Sequence, residues 1–243
     1  MLPYILTCAI LFLSTLTRST LGFGDAIVAM PLLTLALGIH TAAPLVALVA
    51  TVITVMILWS DWQVVDVKAT WRVVLAVLLG IPCGLLLLRD VPAQPMQALL
   101  GVFIVLFSLY NLLQPRLELR HDRLGLGYVF GFLAGLFGGA YNTVGPLIVV
   151  YGHLRRWAPE RFRATLQGCF FPAYLLIVIG HALAGLLTVQ VLTLFSVSMP
   201  AVLLAVFVGG KLNAALSRER FTRYVNVALI VIGAILCLRS YAF

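Results

Sequence analysis

Residues 17–35, TRSTLGFGDAIVAMPLLTL, decide the fold. They sit in an apolar stretch at 3–38 that could cross a bilayer, yet they place Arg18, Gly22, Gly24 and Asp25 where a spanning helix is uniformly apolar. The helix is therefore expected to break between Thr17 and Gly24. Each remaining half-helix, about 13 residues at about 1.5 Å per residue, covers about 20 Å of a hydrocarbon layer about 30 Å thick. A second apolar stretch, 125–151, contains LFGGAYNTVGPLIVV at 136–150, with its break expected at Phe137-Gly138-Gly139. In both stretches a glycine stands seven positions before a Pro-Leu pair, Gly24 before Pro31 and Gly139 before Pro146.

The rest of the chain fits a lipid solvent. Of 243 residues, 63% are hydrophobic, against about 45–50% in an ordinary soluble domain. Only 10% are Asp, Glu, Lys or Arg, against a norm of about 25%, too few to coat a globule of this size. The length suits one polytopic membrane domain. A net charge of +8 does not indicate nucleic acid, because the basic residues lie in short loops between apolar runs and form no single wet face. Cys8, Cys83, Cys169 and Cys237 lie inside apolar runs with no metal-ligand spacing and read as small buried hydrophobes, so neither a metal nor a cofactor is expected. Residues 1–17 resemble a signal-peptide core, but without a preceding Lys or Arg or a following small-residue cleavage site they are expected to stay in the mature protein.

Six unbroken spans are expected, at 42–60, 69–88, 95–113, 164–184, 189–209 and 223–240. Loop charge then tests the two broken stretches. If each returns to the side it came from, the loops 61–72, 114–123, 152–163 and 211–223 share one side and hold every basic residue except Arg18, Arg89 and Arg239. A single crossing would strand Arg155, Arg156, Arg161 and Arg163 on the opposite side. The positive-inside rule thus favours an even number of crossings, as a re-entrant hairpin or two short spans, with both termini outside. The fold expected is an all-α membrane protein made of two inverted repeats, each a broken-helix hairpin plus three transmembrane helices. The first repeat covers 1–113, a basic cytoplasmic linker covers 114–124, and the second repeat covers 125–243.

Inverted repeats with broken helices point to a secondary transporter whose site lies near the midplane. A helix break frees backbone N–H groups, and the next half-helix presents a partially positive end that suits an anion. Glycines 22, 24, 138 and 139 would let backbone approach a ligand; their alternative role is tight helix packing. Arg18 within an apolar segment costs about 2.5–3.5 kcal/mol unless it finds a partner or a wet cavity. Asp25 is the nearest acid. Two readings stay open: a structural Arg18–Asp25 pair or a snorkelling arginine, and an Arg18 that holds an anion while Asp25 orients it or takes up a proton. Asn142 and Thr143, just after the second glycine pair, are placed to meet a substrate, ahead of Gln167. Thr51, Thr54 and Asn111, on full spans, are read mainly as interhelical hydrogen-bond partners, and Tyr141 is a further polar residue at membrane depth. His40 and His181 are expected near the membrane interfaces. The chain has no HExxH, GxSxG or P-loop motif, so no enzyme activity and no catalytic residue is expected.

The segments GFGDAIVAMPLLTL and GLFGGAYNTVGPLIVV, each opening one half of the chain, resemble the TauE/SafE-like family of sulfite and organosulfonate exporters. The resemblance covers the whole chain as an architecture and about 15 residues per half as motif. It implies export of a small anion such as sulfite or sulfoacetate, coupled to protons. It places the family's glycine-rich breaks and following prolines on Gly22, Gly24 and Pro31, then on Gly138, Gly139 and Pro146. Asp25 departs from a fuller glycine run, and an acid there repels an anion unless it is protonated or paired with Arg18. The partners expected are thus a small anion, protons and the lipid bilayer, with no nucleic acid and no oligomeric state implied. Rival readings are a non-transporting membrane scaffold and a transporter of a carboxylate or a cation.

Overall fold

A computed structural model describes residues 2–61, 63, 67–113, 124–155, 157, 159–212 and 218–241. Its ten helices are α1 (Leu2–Leu21), α2 (Asp25–Leu37), α3 (Ile39–Asp61), α4 (Val67–Asp90), α5 (Ala93–Leu113), α6 (Leu124–Tyr141), α7 (Gly145–Leu154), α8 (Pro159–Leu183), α9 (Val189–Leu212) and α10 (Arg218–Tyr241). Helix is the regular structure found among the described residues, and five helices, α3, α4, α5, α8 and α9, are long and apolar enough to cross a membrane by length and composition. They fall on five of the six expected spans. The sixth gives α10, whose described apolar part is Arg223–Leu238. The linker 114–124 lies outside the described residues except for Leu124, which opens α6. Large apolar side chains such as Leu79, Leu106, Phe207 and Leu238 stand exposed, as a lipid-facing surface requires.

Both expected breaks are present: the first occupies the last part of the expected stretch, at Gly22–Gly24, and the second falls later in the chain than the sequence suggested. Helix α1 runs straight through Arg18 to Leu21, because its hydroxyl side chains turn back onto their own helix. Thr17 donates to Leu13 O at 2.9 Å, Thr20 to Leu16 O at 2.8 Å and Ser14 to Leu11 O at 3.1 Å, so these residues do not stop it. The helix ends where Gly22 and Gly24 take φ of 88° and 102°, a region closed to most side chains. At 20 residues, α1 is longer than the half-helix expected. Helix α6 likewise continues through Gly138 and Gly139 to Tyr141, and the chain turns at Asn142 with φ 58°. Asn142 N–H donates to Gly138 O at 2.7 Å, and both the N–H and the hydroxyl of Thr143 donate to Phe137 O at 3.4 and 3.2 Å.

The Gly-to-Pro spacing therefore does not mark equivalent places. Pro31 lies inside α2, whereas Pro146 opens α7, where its missing N–H would have had no helical partner anyway. Gly139 serves the other role open to it, helix packing. Lipid tails are as apolar as leucine, so helices in a bilayer gain by bringing backbones close together over small residues. Gly80 and Gly84 on α4 face Gly135 and Gly139 on α6, Gly131 on α6 meets Val73 and Ala76 of α4, and a Cβ on any of these five glycines would run into the backbone of the opposite helix. The α5–α10 pair meets over Gly101 and Gly233, where each added Cβ would press on the other glycine's carbonyl at 2.6 and 2.9 Å, and α1 meets α9 where Gly209 faces Ser19. Helices α3 and α8 pack face to face at the centre, so the two halves of the chain are interwoven: α4 belongs against α6, and α9 against α1.

One smaller expectation is corrected: Cys169 is buried, but Cys83 is exposed and Cys8 and Cys237 are half-buried, and no disulfide joins the four. His40, near the start of α3, is exposed, and His181, in the last turn of α8, is fully buried, with neither ring nitrogen partnered among the described residues.

The α4–α6 contact predicts that Gly135→Leu lowers stability in detergent by at least about 1–3 kcal/mol, the cost of overpacking. Gly125→Ala, at a glycine on the same helix with nothing within 4 Å, should leave it unchanged. Thermal unfolding of both purified variants checks this.

Candidate functional site

Arg18 is completely buried near the end of α1, and its guanidinium draws four helices together. Nη1 donates to Asp25 Oδ2 at 2.6 Å, at the start of α2, and lies 3.5 Å from Ala50 O on α3. Nη2 donates to Thr54 Oγ1 on α3 at 2.5 Å and to Gln167 Oε1 on α8 at 2.8 Å. The guanidinium carbon also sits 5.2 Å from the Phe170 ring centre and 5.3 Å from that of Tyr174, within cation–π range. Gln167, Phe170 and Tyr174 are spaced three and four apart and so share one face of α8. Gln167 spends its amide N–H on Gly22 O at 2.8 Å, which ties α8 to the first break.

The second break is held in a similar way. Asn142 is fully buried; its Nδ2 donates to Ala43 O on α3 at 2.8 Å, and its carbonyl accepts the Tyr174 hydroxyl at 3.2 Å. Tyr141 donates to Met96 O on α5 at 2.9 Å. The two breaks touch: a Cβ on Gly145 would lie 3.5 Å from Phe23 Cβ and 3.3 Å from the Phe170 ring. Between them is a cavity of about 10 Å³, room for about one water molecule. Its walls are the start of α2 from Gly24 to Ile27, the start of α7 at Gly145 and Pro146, and Phe23, Asn142, Thr143, Phe170 and Tyr174.

Of the ten residues singled out from sequence, Gly24, Asp25, Asn142, Thr143 and Pro146 line this cavity. Arg18 does not line it; it stands behind Asp25, Phe170 and Tyr174. Gly22 lies at the first break as the acceptor for Gln167. Pro31 is buried within α2, Gly139 faces α4, and Gly138 leaves room for Val144, whose Cγ2 would be 2.5 Å from an added Cβ. Phe170, Tyr174 and the α3 carbonyls were not anticipated. Gln167, ranked behind Asn142 and Thr143, is a direct partner of Arg18. Thr51 bonds within its own helix, at Ala47 O, instead of across helices as expected, whereas Asn111 reaches Asn226 on α10 at 3.5 Å, as expected of a residue that ties helices.

In chemical terms the site holds one buried cation and one buried carboxylate in contact, and two helix N-termini open toward a common space. Neither N-terminus has a side-chain cap. Such an arrangement stabilises negative charge through free amides and helix dipoles. No group of three or more His, Cys, Asp or Glu residues able to hold a metal occurs among the described residues.

The family model described as "Sulfite exporter TauE/SafE" matches residues 7–236, nearly the whole chain. No curated protein and no solved structure matches.

The burial of the ion pair predicts an asymmetry. Arg18→Met or Asp25→Leu alone leaves an unpaired buried charge and should cost about 3–5 kcal/mol, whereas the double variant should be the more stable of the three. Thermal unfolding in one detergent, with the three variants side by side, measures this.

Proposed function

Since the chain belongs to the sulfite exporter TauE/SafE family, we propose that it carries a small sulfur-containing anion across the membrane by alternating access, with the two helix breaks as its binding site and Asp25 as its proton carrier. One observation carries this reading: the N-termini of α2 and α7, one from each half of the chain, open on the same cavity beside a buried Arg18–Asp25 pair. The family supplies the sulfur chemistry, and the broken helices supply the place for a negative solute. Helices α1–α5 and α6–α10 are read as the two inverted repeats, with a short helix second in each, α2 of 13 residues and α7 of 10. The loop charges support a reading with both termini outside.

Charge balance gives the proton its role. Arg18 and Asp25 cancel in the resting site, so an anion entering beside Asp25 meets a like charge. A proton on Asp25 removes that repulsion and leaves the guanidinium to balance the anion. Loaded and empty forms then carry the same net charge in the membrane, which spares reorientation the cost of moving a bare charge through low dielectric. Net flux follows the combined gradients of anion and proton and runs outward when the anion accumulates inside. The moving parts are not the two halves of the sequence. Backbone contact fastens α4 to α6, and α9 packs on α1, so we assign the motion to α1–α2–α9 against α4–α6–α7, about the central α3–α8 pair.

Radiolabelled sulfite counterflow in proteoliposomes tests both parts of this reading. The wild-type protein should show counterflow, and its net efflux should quicken when the sulfite-loaded side is made acidic. Asp25→Asn should keep counterflow, and with labelled methanesulfonate, whose own charge does not change with pH, it should lose the response to the pH gradient that the wild type shows. Wild-type counterflow with no net-flux response to the gradient removes the proton step, and absence of counterflow for any small anion removes the transporter reading.

A further inference from the structure

The residue that turns the second break makes a demand of its own on the cavity's occupant. Asn142 lines the cavity and is fully buried. Its backbone N–H, backbone carbonyl and side-chain Nδ2 are all engaged, by Gly138 O, the Tyr174 hydroxyl and Ala43 O. The Ala43 carbonyl can only accept, so it fixes which way the amide faces and leaves Oδ1 as the remaining acceptor. That oxygen has no hydrogen-bond partner among the described residues. Neighbouring hydroxyls cannot serve it: Thr143 donates to Phe137 O, and Tyr174 donates to the Asn142 main-chain carbonyl. An acceptor buried without a donor is costly, so such a group calls for an explanation.

Of the other polar side chains on the wall, Thr143 and Tyr174 have their hydroxyl hydrogens engaged as above, and Asp25 is an acceptor when ionised. A ligand that brings no hydrogen would find amide donors at the two helix ends, but would leave the Asn142 acceptor unpaired. Charge counts the same way. With Asp25 protonated, the single Arg18 guanidinium balances one negative charge, and a dianion leaves one uncompensated in a dry site.

We infer that the cargo is a monoanion bearing its own O–H, of the hydrogensulfite type, and that Asn142 Oδ1 accepts this hydrogen; the inference rests on the anion site proposed above and excludes the sulfite dianion as the bound form. Asn142 is thus a specificity-determining residue. A site built to pair a ligand O–H discriminates against the analogue that lacks it, because its own polar group is then left unpaired.

Methylphosphonate and methanesulfonate provide the test. In mildly acidic buffer both are tetrahedral monoanions of nearly the same shape, and only the phosphonate carries an O–H. Affinities are read from the concentration dependence of thermal stabilisation of the full-length protein in detergent. The wild type should bind methylphosphonate about tenfold or more tightly than methanesulfonate. Asn142→Gly, which keeps the left-handed backbone, should bring the two within about twofold. In alkaline buffer the phosphonate becomes a dianion without a hydrogen and should lose its advantage over methanesulfonate, whose charge does not change. The inference is overturned if the wild type binds the two alike, if the preference survives in Asn142→Gly, or if the dianion binds better than the monoanion. Equal binding by the wild type would leave the anion site standing; failure of every anion to stabilise the protein would remove that site and this inference together.

Discussion

A guanidinium inside hydrocarbon must have its donors and its charge answered by protein, and in this molecule that requirement falls on Arg18. No single helix can meet it. The answer comes from the carboxylate of Asp25 on α2, from the Thr54 hydroxyl and an exposed carbonyl on α3, and from Gln167 and two aromatic faces on α8. Because Asp25 is the first residue of α2, the ion pair also fixes the angle at which the chain leaves α1 and re-enters a helix. Gln167 closes the ring by binding the carbonyl of Gly22. The place where the backbone is interrupted is thereby the place where the polar contacts are concentrated.

The central helices α3 and α8 act as a brace for both breaks. Each break is bonded to one brace helix of its own half of the chain and one of the other. Arg18 reaches α3 and α8 through side chains, and Asn142 reaches the same two helices through Ala43 and Tyr174. The cross-wiring holds the N-termini of α2 and α7 against one another although they are more than a hundred residues apart in sequence. The glycine contacts between α4 and α6 add a second constraint of the same kind, since an interface at backbone distance resists sliding. In the proposed mechanism the site therefore lies at the junction of two bodies, neither of which is a contiguous half of the chain.

The small size of the cavity suits such a junction. A cavity with room for about one water molecule means that the walls already press together, so under the proposed mechanism the bodies part slightly to admit a cargo and close on it. Wet space would screen the helix ends and the buried pair, whereas a dry pocket gives them full effect. For the proposed cargo the same dryness would set the penalty for a wrong ligand, because an extra charge or a missing hydrogen is not repaired by solvent.

Composition alone required a membrane, since a chain with so few charges cannot be coated in water, and the long apolar runs gave the spanning helices at nearly their observed places. The polar interruptions at 17–25 and 137–143 showed that two stretches differ, and Arg18 identified itself by the cost of burying it. The exact breaks were less legible. Serine and threonine look like helix-stoppers in a sequence, but their hydroxyls fold back onto the helix, and a Gly-Gly pair can equally mark a bend or a close packing face. Asn142 followed closely by Val144-Gly145-Pro146 was the available signal for the second turn, because asparagine tolerates the left-handed region and proline opens the next helix. What only the tertiary structure decided was which residues meet. Gln167, Phe170 and Tyr174 acquire their roles from the packing of α8 on α3, and Gly139 acquires its role from α4. A sequence records each residue's capacity to donate, accept or make room, whereas the partner is fixed by contacts between segments that are distant along the chain.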